Sequence, residues 1–485
     1  MYHGFRYLAV NTTEAPTVAD AVGLVIRTGA ESVGSFETSD DMLNSIHRIT
    51  DRAIQSNLFS VMTDCPHREK LGWLEQTHLV FQPVTRNYDS LALGNGIVAT
   101  MLDAQTDDGL VPDIAPEFVV FAQGFRDDPN WGNALVRMPL MLYQQYGFTS
   151  ILEESYDAMT AYVDFLTAKT SNNTLAYGLC DWITFDDSTP VGITATFGYY
   201  QALEAIQQIA TILGKTADGD TYGATIEAVQ EAFASDFLAI SDDGVYTYGS
   251  GSQASNAIAL DMGVVPAEQQ SAVAQAIADS IIENGNHLTV GEIALPSLFR
   301  ALQSLGLNDV VYNMMTVSTA PSYAYQVLQG ATSLTERWDG PTASCSGCNS
   351  LNHFMLGYAD QWLLELSGLS QADNSSAWES IQYSPIFVTN LTSASSSYRS
   401  VRGVASASWA LAENTLTYDI VVPVGASGLV TLNLTALGLD TIQESGTVLN
   451  ETSSGNGING YSFTNGTASV KVGSGQYAFV ASLAS

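Results

Sequence analysis

The chain has 485 residues, 46% hydrophobic and 10% aromatic, enough for two or three domains with sizeable cores. Fifty acidic residues against sixteen basic ones give a net charge of −34, which argues against a phosphate-backbone partner. No run approaches the ~18 apolar residues of a membrane span, so neither nucleic acid nor membrane is an expected partner.

The opening Met1-Tyr2-His3-Gly4-Phe5-Arg6-Tyr7-Leu8-Ala9-Val10 has no long apolar stretch and no small-residue cleavage site, so it does not read as a signal peptide. Phe5–Val10 and Ala21–Arg27 read as strands, too few to make a sheet alone. Residues 1–34 are therefore expected to be the remnant of a preceding β-sandwich, docked on the rest or poorly ordered. From about residue 38 to 370 the pattern is helical. Tyr156, Met159, Val163 and Leu166 share one face, and similar stripes run through 41–58, 132–146, 196–213, 220–236, 265–282, 294–305 and 354–367. Gly, Asn, Asp and Pro break between them, as in Gly147-Phe148-Thr149. About a dozen helices with uneven loops suit a toroid of paired helices, and no fixed-period repeat supports a solenoid. After residue 378 the period becomes two. Val404–Leu411, Thr415–Val422, Ser427–Leu434, Ser462–Phe463 and Ser469–Val472 read as strands of a carboxy-terminal sandwich.

Seven Asn-x-Ser/Thr sequons stand at Asn11, Asn172, Asn374, Asn390, Asn433, Asn450 and Asn465. With few lysines and a pI near 4.1 they favour a secreted glycoprotein. The four cysteines are Cys65, Cys180, Cys345 and Cys348. Cys345-Ser-Gly-Cys348 has C-x-x-C spacing, but no second pair or histidine completes a zinc site, so a local disulfide is the preferred reading.

Two acidic segments carry the chemistry. Thr63-Asp64-Cys65-Pro66-His67-Arg68-Glu69-Lys70-Leu71-Gly72-Trp73 and Thr335-Glu336-Arg337-Trp338-Asp339-Gly340-Pro341 each set a carboxylate beside an arginine and a tryptophan. Glycoside hydrolysis needs two carboxyl groups across one sugar ring. In the first segment a helix is expected to begin near His67, placing Glu69 and Trp73 at i, i+4 with the indole raising the glutamate's pKa. Arg68 is close enough to pair with Asp64 and keep it ionised. In the second, Glu336 in an open loop could act as base toward water. For any one of these residues a capped helix start or an ion-paired loop is the plainer account. Two more acidic aromatic loops, Arg126-Asp127-Asp128-Pro129-Asn130-Trp131-Gly132 and Cys180-Asp181-Trp182-Ile183-Thr184-Phe185-Asp186-Asp187, add weight. No G-x-S-x-G, H-E-x-x-H or EF-hand spacing occurs, so no metal or cofactor is expected. Gly455-Asn456-Gly457-Ile458-Asn459-Gly460 matches G-x-G-x-x-G only formally, between strands.

These segments resemble the signatures of α-L-rhamnosidases of glycoside hydrolase family 78. Tyr2-His-Gly-Phe-Arg-Tyr7, Gly34-Ser-Phe-Glu-Thr-Ser-Asp40, Asp128-Pro-Asn-Trp-Gly132 and Ser350-Leu-Asn-His-Phe354 match in order. The resemblance implies a mainly α fold: an (α/α)6 barrel over 35–370 followed by a β-sandwich over 371–485, with inversion at the anomeric carbon. It implies Glu69 as general acid and Glu336 as general base. Asp64 and Arg68 would hold rhamnose hydroxyls, with Trp73, Gln76, Asp128, Trp131, Asp181, Trp182, Trp338 and His353 around the ring. Three departures stand out: Gln76, with Glu75 beside it, where relatives carry an acid; Glu292 where an apolar residue is expected; and the missing amino-terminal β-domains. The expected activity is exo-acting hydrolysis of terminal rhamnose from plant glycosides or pectic oligosaccharides. The rivals are a polysaccharide lyase or unsaturated-uronyl hydrolase, which would want a basic pocket and a Tyr or His base and is kept open by Gln76 with His67 and His78 nearby, and an inactive carbohydrate-binding relative. Oligomeric state stays open.

Overall fold

The computed structural model describes residues 2–3, 5, 7–242, 244–344 and 349–483. Its helical part consists of six hairpins, each an outer helix followed by an inner one. The outer helices are Asp41–Asn57, Leu91–Ala104, Ser150–Ala168, Thr216–Phe237, Ala267–Glu283 and Asn308–Thr316. The inner members are Leu74–Leu79 with Phe81–Asn87, then Ala134–Tyr146, Val191–Ile212, Gln253–Asp261, Leu295–Ser304 and Ala359–Glu365.

The two sets differ in the way their positions demand. Thr216–Phe237 buries one stripe, with Val229, Ala232 and Phe233 inside and its charges in water. Every residue of the inner helix from Gly192 to Leu203 is buried, as a helix surrounded by neighbours must be. Capping sets the ends. Asp40 accepts hydrogen bonds from Met42 N and Leu43 N at 2.7 and 3.1 Å. Gly147, at φ 82°, closes Ala134–Tyr146 in the left-handed conformation that lacks a penalty only for glycine.

The links between helices are strongly unequal. Inner-to-outer links such as 147–149 and 213–215 are three residues long, whereas outer-to-inner links such as 105–128 and 317–358 are long and irregular. One end of the barrel is thus closed by tight turns, and the other carries the loops that can hold a site.

The β part has two sheets. The first runs Gly34–Thr38, Ser393–Ser400, Gly403–Ala412, Thr415–Val422, Gly475–Ser482, Thr441–Glu444, Thr447–Val448. The second runs Ile458–Thr464, Thr467–Val472, Ser427–Asn433, Ser380–Tyr383, Leu369–Gln371. The expected strands at 404–411, 415–422, 462–463 and 469–472 fall inside these, and 427–434 overruns its strand by one residue. Gly34–Thr38 was not among the expected strands. It pairs antiparallel with the carboxy-terminal sheet, Gly34 opposite Tyr398 and Thr38 opposite Ala394.

Phe5–Val10 and Ala21–Arg27 are not strands: the described residues there have no ladder partner, and their apolar side chains are exposed. Strand propensity without a sheet to join does not produce a strand. The segment still touches the barrel. Tyr2 stacks on Phe59 at 4.2 Å, the Lys70 ammonium lies 4.6 Å from the same tyrosine ring, and Thr28 N donates to Leu58 O.

Candidate active site

The loop after Asn57 does not open a helix at His67. Asp64 N donates to Leu71 O at 3.0 Å, and Asp64 Oδ1 accepts from Leu71 N at 2.8 Å, closing residues 64–71 into a ring of backbone. Lys70, at φ 60°, could not sit in a right-handed helix. The helix starts at Leu74. Glu69 and Trp73 nevertheless meet, because the loop folds back: Trp73 Nε1 donates to Glu69 Oε2 at 3.2 Å. The indole offers the carboxyl group a hydrogen bond rather than the apolar face the sequence suggested.

Arg68 does not pair with Asp64. Its Nη2 lies 2.9 Å from Glu336 Oε2 and 3.2 Å from Glu69 Oε1. One guanidinium nitrogen thus touches both candidate carboxylates. Their nearest oxygens cannot be further apart than those two distances laid end to end. Glu336 is fixed by a strand-like exchange with Ser350: Glu336 N donates to Ser350 O at 2.9 Å, and Ser350 N donates to Glu336 Oε2 at 2.6 Å.

Both glutamates face one cavity of about 110 Å³. Asp64, Arg68, Trp73, Glu75, Trp131, Trp182 and His353 also line it. Its rim is a chain of rings. Trp73 meets Phe125 at 6.5 Å, and Phe125 meets Trp182 edge-on at 5.6 Å. His353 Nδ1 accepts from Met355 N at 3.3 Å, so the neutral ring carries its proton on Nε2. Burial, with Arg68 and His67 adding positive charge, pushes its pKa down to about 3, so the ring stays neutral.

Buried acids surround the floor. Burial first, then the Glu69 charge, raises Asp64 to about 6 against its hydrogen bonds. Asp64 therefore does not stay firmly ionised, contrary to the ion pair expected from the sequence. Glu75 is raised well above the ordinary carboxylate range by burial, with Asp64 and Asp128 reinforcing. Glu292 is raised likewise, by burial and then by Glu75, Asp181 and Glu336, and neither of its oxygens has a hydrogen-bond partner among the described residues.

Four expected site residues lie elsewhere. Trp338 is fully buried, donates Nε1 to Val290 O at 2.9 Å and packs edge-on against Tyr323, so it supports the Glu336 loop from behind. Asp128 caps Pro129–Gly132 and also accepts from Leu179 N at 2.6 Å. Asp181 accepts from Gly291 N and Ala294 N at 2.7 and 3.1 Å, pinning the Trp182 loop to the next hairpin. These aspartates are braces. Gln76 is fully buried outside the cavity, and Glu75, one residue earlier, takes the position facing it. Phe125, Leu179 and Met355 also line the cavity without having been singled out. Nothing in their spacing marks them.

The cysteine pair 345 and 348 lies outside the described residues. Cys65 and Cys180 are free thiols. Cys65 donates to Asp64 Oδ2 at 2.9 Å, and burial raises its pKa to about 11, with Asp64 reinforcing.

Comparison with known proteins fits this geometry. Residues 31–366 match the family described as the bacterial alpha-L-rhamnosidase 6 hairpin glycosidase domain, and residues 368–447 match its C-terminal domain. The chain belongs to this family. Among curated relatives, an alpha-L-rhamnosidase of Streptomyces avermitilis is 29% identical over 84% of this chain and 39% of its own length. One from Formosa agariphila is 29% identical over 87% of this chain and 46% of its own. Among solved structures, the alpha-L-rhamnosidase from Dictyoglumus thermophilum aligns with a TM-score of 0.87 and 28% identity, over 97% of this chain and 52% of that one. The Streptomyces avermitilis enzyme complexed with L-rhamnose aligns at 0.83 and 26%, over 94% of this chain and 42% of that one. The helical hairpins are thus the family's α/α barrel. The chain spans about half the length of these relatives or somewhat less.

Proposed function

We propose that this chain is an α-L-rhamnosidase that removes terminal rhamnose and inverts the anomeric carbon. The observation that carries the hydrolase reading is the meeting of Glu69 and Glu336, from segments far apart in sequence, on one guanidinium in one aromatic-rimmed cavity, while inversion rests on the resemblance to family 78. Glu69, the more exposed of the two at the side chain, gives its proton to the glycosidic oxygen as the bond from that oxygen to the anomeric carbon breaks. Glu336 takes a proton from the water that attacks the opposite face. Arg68 holds the ring hydroxyls in place of part of its present pairing. His353, donating from Nε2, and Asp64, protonated or ionised near pH 6, complete the contacts to the sugar.

The small cavity, about 110 Å³, leaves no room for a second sugar ring, which suits exo-action. Beside it, the loop residues Phe118, Val119 and Val120 are exposed, and Phe121 stacks on Trp73 at 5.3 Å. We place the aglycone of a plant glycoside or a rhamnogalacturonan oligosaccharide along this apolar edge. The uronate-directed rivals fit less well. The cavity has four carboxyl residues, Asp64, Glu69, Glu75 and Glu336, to one arginine, and a uronate needs the reverse. His78 is buried away from the cavity, between Asn130 O and Arg137.

The test is release of rhamnose from an aryl α-L-rhamnoside and from a rhamnogalacturonan oligosaccharide. Hydrolysis of the first distinguishes an enzyme from an inactive carbohydrate-binding relative. Formation of an unsaturated uronate from the second would replace this reading with the lyase one. Secretion is proposed with it: all seven sequon asparagines are exposed, as modification by the secretory pathway requires.

A further inference from the structure

At the barrel end closed by three-residue links, opposite the catalytic loops, the last turns of Ala134–Tyr146 and Val191–Ile212 meet the loop that follows Leu369–Gln371. Between them lies a cleft of about 430 Å³, inside the ~300–1,000 Å³ range of small-ligand sites. Tyr143, Gln144, Gln207 and Gln208 form its barrel wall, and Asn374, Ser375 and Ser376 its other wall. The side-chain amides of Gln144, Gln207 and Gln208 make no hydrogen bond to any described residue. Three donor-and-acceptor groups beside an aromatic ring suit a neutral sugar.

The loop wall is held rigidly. Gln371 Nε2 donates to Ser375 O at 2.7 Å, Ser380 N donates to Ser375 Oγ at 3.0 Å, and Ala377 N donates to Gln144 O at 2.8 Å. Asn374 is spare: it is exposed, and its side chain makes no hydrogen bond to described residues. Asn374-Ser375-Ser376 is a glycosylation sequon. A sequon asparagine therefore forms part of the wall of an amide-lined, sugar-sized cleft.

We propose that Asn374 carries an N-linked glycan whose first sugars lie in this cleft and tie the barrel to the β part. The Asn374 amide nitrogen loses a proton and takes the reducing-end carbon of an oligosaccharide from a lipid-pyrophosphate donor, which leaves as lipid pyrophosphate. The Gln144, Gln207 and Gln208 amides then bond the hydroxyl and acetamido groups of the stem. The inference rests on the secretion reading, not on the hydrolase reading. Asn465, in the turn between strands Ile458–Thr464 and Thr467–Val472, is the contrasting case of a sequon on an open hairpin.

The chain secreted from a eukaryotic host is the protein to examine, by glycopeptide mass spectrometry and a time course of endoglycosidase trimming. Asn374 is expected to be occupied, and its glycan trimmed at least ten-fold more slowly in folded than in denatured protein. In a Gln144→Leu/Gln208→Leu variant that protection should vanish with occupancy retained. Ser376→Ala should lower Tm, Asn465→Gln should not, and rhamnoside hydrolysis should be unchanged in all. An empty Asn374 while other sequons are occupied, or equal trimming in folded and denatured protein, overturns the proposal. If all seven sequons are empty, the secretion reading falls with it, and the separately measured hydrolysis still stands.

Discussion

The two walls of the catalytic cavity hold their glutamates in opposite ways. Glu336 has a side chain 12% exposed and accepts two short hydrogen bonds, one of them from backbone N–H. Glu69 has a side chain 40% exposed and two contacts at 3.2 Å, both from side chains. A base that must aim a water at one carbon gains from a fixed carboxylate. An acid that must follow a departing oxygen gains from one that can move. The difference between a pinned and a loose carboxyl group supports assigning the two roles to these two residues rather than the reverse.

Breaking the pinned side should cost most. Glu336→Gln is expected to lower kcat by ~10²–10⁴ for every substrate, since water activation is indifferent to the aglycone. Glu69→Gln should cost a similar factor for a poor leaving group and markedly less for an activated aryl rhamnoside. Equal losses on both substrates would remove Glu69 from the acid role. A steady-state comparison of the two variants on the two substrates reads both outcomes.

Asp64 sharpens the comparison through pH. Its folded pKa of about 6 stands above the ordinary aspartate value of 3.8, so between those values the folded state binds more protons than the unfolded one. This group's contribution to stability therefore falls as pH rises from about 4 to about 6. Asp128 and Asp181, also near 6 through burial, act in the same direction. Asp64→Asn should make Tm less sensitive to pH across that window, and should raise KM for rhamnosides. An unchanged Tm–pH slope would show that Asp64 is ionised in the fold.

The smallest expected effect on activity is at Trp338. Trp338→Phe removes the hydrogen bond to Val290 O and leaves that buried carbonyl without its donor, about 1–3 kcal/mol of stability, with KM nearly unchanged. Trp182→Phe, at the rim, should do the opposite: little change in Tm and a raised KM. If Trp338→Phe raised KM instead, the wall assignment would be wrong.

These contrasts also show what was readable beforehand. The helical periodicity and the breaks between stripes were enough to expect paired helices, because burial on one face is written in the spacing. The pairing of Glu69 with Glu336 was readable from residue chemistry and from the resemblance. Which way a side chain faces was not. Trp131 and Trp338 stand in similar acidic sequence segments, yet the first lines the cavity and the second buries behind it, a choice made by Tyr323 and Val290 from other parts of the chain. Gln76 was expected at the ring, yet Glu75 faces the cavity, because neighbouring residues on the helix from Leu74 point ~100° apart. Gly475–Ser482 was missed as a strand although Tyr477, Phe479 and Val480 carry strand signal, and Gly34–Thr38, only five residues long, is ordered by its pairing with Ser393–Ser400.

The most direct test of the paired-carboxylate account is to follow by proton NMR the anomer of rhamnose first released from an aryl α-L-rhamnoside, before mutarotation. The account predicts the β-anomer, because water between Glu336 and the sugar attacks the face opposite the leaving group. Appearance of the α-anomer first would mean that a carboxylate, not water, attacks the ring. The assignment of Glu336 as a base would then be contradicted.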